Sequence, residues 1–93
     1  MRISDIIKNR RGTSGPWRIQ TTDEGRELWH YSTRMLLWTD TINGPVLLDH
    51  STGWGSVSDQ NGVNTAFRVL NLPFYYKRAG GATIVNTTTG DPA

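Results

Sequence analysis

Residues 57–70 carry the one extended helical pattern in the chain. Val63, Ala66, Phe67 and Leu70 recur at i, i+3, i+4 and i+7, the spacing of a single buried face. The ends of this pattern are marked. Ser56 and Asp59 stand three residues apart, as a capping box requires, with Ser58 as a rival cap. Asn71 suits a left-handed helix end, and Pro73 forbids continuation. Gly62 lies inside the first turns, where it costs about 1 kcal/mol relative to Ala. Its presence predicts a close approach of another group to the helix backbone. A lone helix with one apolar face must cover something else, and the remaining patterns point to a sheet.

Trp17 and Ile19 alternate with Arg18 and Gln20, which predicts a strand. Asp23-Glu-Gly-Arg26 has turn chemistry. Residues 28–39 form a long β-like run with no polar face. They are expected to be a central strand, or two strands separated by a bulge near Ser32-Thr33. Asn43-Gly44 is a hairpin signal, and residues 46–50 return as a strand. Residues 74–77 and 82–85 form a last hairpin around Gly80-Gly81. A short helix is expected at 4–11, capped by Ser4 and stopped by Gly12, with Thr13-Ser-Gly-Pro16 as a loop. The fold class is therefore α+β, in the order α-β-β-β-α-β-β. A small antiparallel sheet of about five strands has the 57–70 helix packed on one face. That helix should bury Phe67 and Leu70 against strand residues such as Trp29 or Leu37. Residues 1–86 make one globular domain, and 87–93, with no apolar anchor after Val85, a flexible tail.

With 93 residues there is room for one modest core. Four Trp, three Tyr and two Phe exclude a disordered chain. The absence of Cys excludes disulfides, iron–sulfur clusters and thiolate catalysis. No apolar run approaches the roughly 18 residues that span a bilayer, and the first 30 residues lack a signal-peptide core. The expected setting is cytoplasmic, with no membrane partner.

Charge is uneven. Residues 1–18 carry Arg2, Lys8, Arg10, Arg11 and Arg18 against Asp5, whereas residues 19–66 carry six acidic side chains against two basic ones. A basic N-terminal helix can meet an acidic partner or a phosphate backbone. Gly53-Trp-Gly-Ser-Val-Ser-Asp-Gln-Asn-Gly62 leads small residues into a helix N-terminus, with hydroxyls at Ser56 and Ser58. It is an anion site or simply a capped turn. It is neither a P-loop nor a dinucleotide fingerprint. In 74–78, alternation puts Phe74, Tyr76 and Arg78 on one face and Tyr75 with Lys77 on the other, so one tyrosine should face outward. Asp49-His50-Ser51 does not make a hydrolase triad, because adjacent strand residues point to opposite faces. His30 and His50 match no metal-ligand spacing.

One further pattern concerns His30-Tyr-Ser-Thr-Arg-Met35, the Gly53–Gln60 segment, Asn64-x-x-Phe-Arg68, Leu72-Pro73 and Tyr76-x-Arg78-x-Gly80-Gly81. Together these resemble a family of small bacteriophage proteins, mainly from phages of actinobacteria, over roughly residues 28–82. The Gly-Trp-Gly-Ser-Val-Ser-Asp-Gln segment is the most specific part. The resemblance implies a setting, an accessory gene product in an infected cell's cytoplasm, and no mechanism. The functional expectation is a small non-enzymatic binding protein that engages a host protein as inhibitor or adaptor. It has no catalytic or metal site and no cofactor, and a homodimer is compatible with its size. The candidate contacts are Arg10, Arg11, Trp54, Ser56, Ser58, Tyr75 and Lys77. The alternative is a nucleic-acid-binding module that uses the basic helix and an aromatic sheet surface. A virion assembly protein, or a small hydrolase drawing on His30, His50, Asp49 and Ser56, stands behind these.

Overall fold

The computed structural model describes all 93 residues. The chain runs α1 (Ile3–Asn9), β1 (Gly12–Ser14), β2 (Trp17–Thr21), β3 (Arg26–His30), β4 (Thr33–Thr41), β5 (Gly44–His50), α2 (Val57–Leu70), β6 (Phe74–Lys77) and β7 (Thr83–Asn86). β1 to β5 form an antiparallel meander in sequence order, and β6 pairs only with β7. The α+β class and the bounds of α2 match the sequence pattern, whereas the five strands of the sheet are β1 to β5 and not the expected set that took in the last hairpin. No helix is long and apolar enough to cross a membrane.

α2 ends as its sequence dictates. The Ser56 hydroxyl accepts from the Asp59 amide at 3.0 Å, and Asn71 takes φ 55 as the left-handed cap. Val63, Ala66, Phe67 and Leu70 enter a core with Ile6, Ile7, Trp17, Leu28, Leu36 and Trp38. The strand residues expected to meet this helix are corrected. Trp29 and Leu37 lie outside the core cluster: paired Leu28 and Leu36 point into it, so their chain neighbours point to the other face of the sheet, where Leu37 is still buried.

The long 28–39 run is not one central strand but two, the other expected form, and a turn divides them where that form placed a bulge. Tyr31 sits there at φ 55, a conformation uncommon for a non-glycine residue. The N-terminal helix is shorter than 4–11 and is not capped by Ser4. Arg2 is its N-cap, with the Asp5 carboxylate accepting from the Arg2 amide at 3.0 Å. It ends at Arg10, which adopts φ 60 itself, ahead of Gly12. Gly12, expected as a helix stop, and Thr13 and Ser14, expected in a loop, pair with β2 as a three-residue strand, too short to show a period.

The last hairpin does not join the main sheet. Asn64 on α2 accepts from the Tyr76 amide at 2.7 Å and donates to the Tyr76 carbonyl at 3.0 Å, and Gln60 donates to that carbonyl at 3.2 Å. The backbone groups on the free edge of β6 are thereby satisfied by helix side chains instead of a strand. Residues 87–93 turn back along β7, with the Ala93 amide donating to the Ile84 carbonyl at 2.9 Å.

Candidate functional site

The start of α2 meets the end of β3 around one buried carboxylate. Asp59, at the third helical position, is fully buried. Its Oδ2 accepts from the amides of Trp54 at 3.0 Å and Ser56 at 3.1 Å, and its Oδ1 lies 2.6 Å from His30 Nδ1. Burial alone opposes the Asp59 charge. The hydrogen bond from His30 and those from Ser56 and Trp54 outweigh it and hold the carboxyl below its usual range. An ionised carboxylate only accepts, so His30 Nδ1 carries the proton. His30 Nε2 then faces the Ser58 hydroxyl at 3.3 Å.

The imidazole has little freedom. Trp17 stacks on it with ring centres 4.0 Å apart and planes 8° from parallel, and Tyr31 packs at 4.8 Å in a tilted pose. Trp17 is fixed in turn by Gly62, where an added Cβ would collide with the indole ring. This is the close approach that a glycine inside the helix foretold. Gly53 serves the other side. At φ 57 it lets the loop cross Asp59, and an added Cβ there would stand 2.9 Å from Met35 Sδ. The rest of the loop is anchored by the Tyr76 hydroxyl, which donates to the Thr52 carbonyl, and by Arg78 Nε, which donates to the Gly55 carbonyl at 2.8 Å. Burial, followed by the Asp59 charge, pushes the Tyr76 hydroxyl above its usual pKa and keeps it a donor.

Three large apolar side chains are exposed on the segments that meet here. Trp54 is 86% exposed, Tyr31 66% and Val57 54%. Trp54 projects from a backbone whose amide is bound to Asp59, so an exposed aromatic sits on a fixed mount.

The sequence candidates fall in different places. Trp54, Ser56 and Ser58 come together here, with Ser56 used as the cap and Ser58 exposed. Tyr75 is the outward tyrosine of β6, half exposed, and Lys77 is exposed on the same strand, while Tyr76 is buried. Arg10 and Arg11 lie elsewhere. Arg10 forks onto Asp40 at 3.0 Å through both Nε and Nη2, near the far end of β4. Met35, beneath Gly53, is five residues back along that strand, about 17 Å away. The His30 partners are Asp59 and Ser58. Asp49 instead accepts from Arg34 at 2.7 Å on the outer face, and that guanidinium also donates to Glu27 at 3.0 Å. No three His, Asp or Glu side chains converge as a metal site. The His30–Asp59 pair had no spacing motif to betray it, since 29 residues separate the partners. The available signal was an acid at the third helical position, one turn before a glycine that exists to admit Trp17.

Comparison with known proteins adds no relative: no protein-family model, no curated protein and no solved structure matches this chain.

Proposed function

We propose that this is a small accessory binding protein of phage type that engages a host protein through the face made by Trp54, Tyr31 and Val57. The observation that carries the reading is Trp54, 86% exposed on a loop whose backbone is held by a buried carboxylate. A large side chain left in water on a rigid mount loses little entropy when a partner covers it, and Trp is prominent among residues that dominate interface energy. Exposed apolar groups gathered on one face are how such sites are recognised.

A protein partner fits better than a nucleic acid. Arg10 is engaged by Asp40, and Arg18 lies 4.7 Å over the Trp29 ring while donating to the Tyr31 carbonyl, so two of the cations offered for phosphate contact are spent internally. The test is an affinity capture from a lysate of the host, with and without nuclease, using the wild type and Trp54→Ala. A host protein retained after nuclease and lost with Trp54→Ala is the expected result. Capture that vanishes with nuclease, or survives Trp54→Ala while failing with Arg10→Ala plus Arg11→Ala, would move the function to nucleic acid.

A further inference from the structure

We propose that Ser58 is an activated nucleophile that transfers the acyl group of small esters to water, with His30 as its general base and Asp59 as the positioning residue. The inference stands on the geometry of three side chains and does not need the partner reading. Each imidazole nitrogen is assigned. Asp59 Oδ1 takes Nδ1 at 2.6 Å, and the Ser58 hydroxyl stands 3.3 Å from Nε2. This is the order of contacts by which a buried carboxylate fixes the tautomer and a bare nitrogen accepts a hydroxyl proton. The three residues occur as His30, Ser58 and Asp59 along the chain, on the end of a strand and the first turn of a helix. Such a constellation is identified by roles in space, since the order in sequence varies freely.

The surroundings suit the chemistry. Ser58 is exposed, so the nucleophile meets substrate, while His30 and Asp59 are buried beneath it. Trp17 stacks on the ring plane and Tyr31 packs against it at a tilt. The amides of Val57 and Ser58, at the first two helical positions, make no hydrogen bond within the protein. Both are available to an oxyanion forming at the helix start. Exposed Val57, next in the chain to Ser58, offers apolar contact to an acyl group. No cleft encloses the site. The one surface depression, lined by Thr21, Asp23, Glu24, Arg26 and Asp40 among others, lies at the opposite end of the sheet. Small activated esters are therefore the substrate class.

In the first half-reaction the Ser58 oxygen forms a bond to the ester carbonyl carbon and its proton passes to His30 Nε2. The tetrahedral intermediate collapses, the bond to the alkoxy oxygen breaks, and the alcohol leaves with the proton from His30. In the second half-reaction water attacks the acyl-serine and gives a proton to Nε2. The Ser58 bond breaks, the carboxylic acid departs, and the serine oxygen recovers the proton. Ester and water are consumed; acid and alcohol are formed.

The experiment treats the full chain with a fluorophosphonate and with p-nitrophenyl acetate, and maps adducts by mass spectrometry. The expected result is one adduct, on Ser58, with no label on Ser51 or Ser56. It should be lost in Ser58→Ala at an unchanged melting temperature, and slowed about a hundredfold or more in folded His30→Gln. Should His30→Gln not fold, the imidazole ¹⁵N shifts of the wild type decide instead. Nδ1 protonated and Nε2 bare at neutral pH is required, and Asp59→Asn, if folded, should alter that pattern. Absence of an adduct, labelling of Ser58 no faster than of other exposed serines, a rate unaffected by His30→Gln, or the opposite tautomer in the wild type would each overturn the assignment.

Discussion

Asp59 and Asp40 each accept from a basic side chain, yet Asp59 is fully buried and Asp40 stands partly in water, with 36% of its side chain exposed. Around Asp59 both carboxylate oxygens have partners, three in all, from the loop, the cap and β3. Around Asp40 there is a fork from Arg10 and a looser approach from Arg26 at 4.0 Å. Water can replace what Asp40 loses, and nothing can replace what Asp59 loses. The same residue type is thus a fastening in one place and a surface decoration in the other. The fastening lies under the face that carries Trp54 and Ser58.

The largest difference should come from breaking the buried end. Asp59→Ala leaves His30 and two amides without their acceptor, and loss of one partner of a buried pair costs about 3–5 kcal/mol. Denaturant unfolding should show it, and a cost near that of a surface substitution would dissolve the distinction. Gly62→Ala comes next. Its Cβ has no room beside Trp17, and Trp17 cannot retreat because it is stacked on His30. Overpacking of this kind costs about 1–3 kcal/mol, against the usual gain of Gly→Ala in a helix, so a more stable variant would show that Trp17 is mobile.

Acid should act on the same region. The native Asp59 pKa lies below its unfolded value, so its contribution is complete above the ordinary carboxylate range near about pH 4. It is lost as pH falls through the lower native value. A fall in melting temperature confined to that acid window, and blunted in a folded Asp59→Asn variant, is the expected profile. Asp40 has the same sign. The hydrogen bond from Arg10 lowers its pKa first, burial opposes, and the charges of Arg10 and Arg26 add to the lowering. Solvent screening makes its share smaller. The smallest effect is therefore Arg10→Ala, expected to cost about 0.2–1 kcal/mol and to shrink in salt, as exposed pairs do. A loss comparable to that of Asp59→Ala would remove the contrast altogether.

How far these regions were legible from the residues follows from the range of the forces that set them. α2 was fully legible because its signals are local: the Ser56–Asp59 cap, the apolar face and Asn71 all act within a few residues. Gly62 was half legible. Its presence predicted a close neighbour, but Trp17 lies 45 residues away and only the folded sheet supplies it. The division of residues 28–39 was legible as a break and not as a turn, because Tyr31 takes a left-handed conformation that no glycine announces. The separate β6–β7 hairpin was not legible, since it depends on Asn64 reaching the Tyr76 backbone. The site shows the same limit. Trp54, Ser56 and Ser58 were marked by a local segment, whereas His30 joins them only through the Asp59 carboxylate. Arg10 and Arg11 were grouped with Trp54 as residue types that suit an interface, a property blind to which end of β4 each lies against.

A double-mutant cycle on His30 and Asp59, measured by denaturant unfolding beside the same cycle on Arg10 and Asp40, tests the central claim most directly. The expected coupling is about 2 kcal/mol or more for the buried pair and less than about 1 kcal/mol for the exposed one. Couplings of equal size, or a buried pair whose single variants simply add, would show that Asp59 does not fasten the face on which Trp54 and Ser58 are displayed.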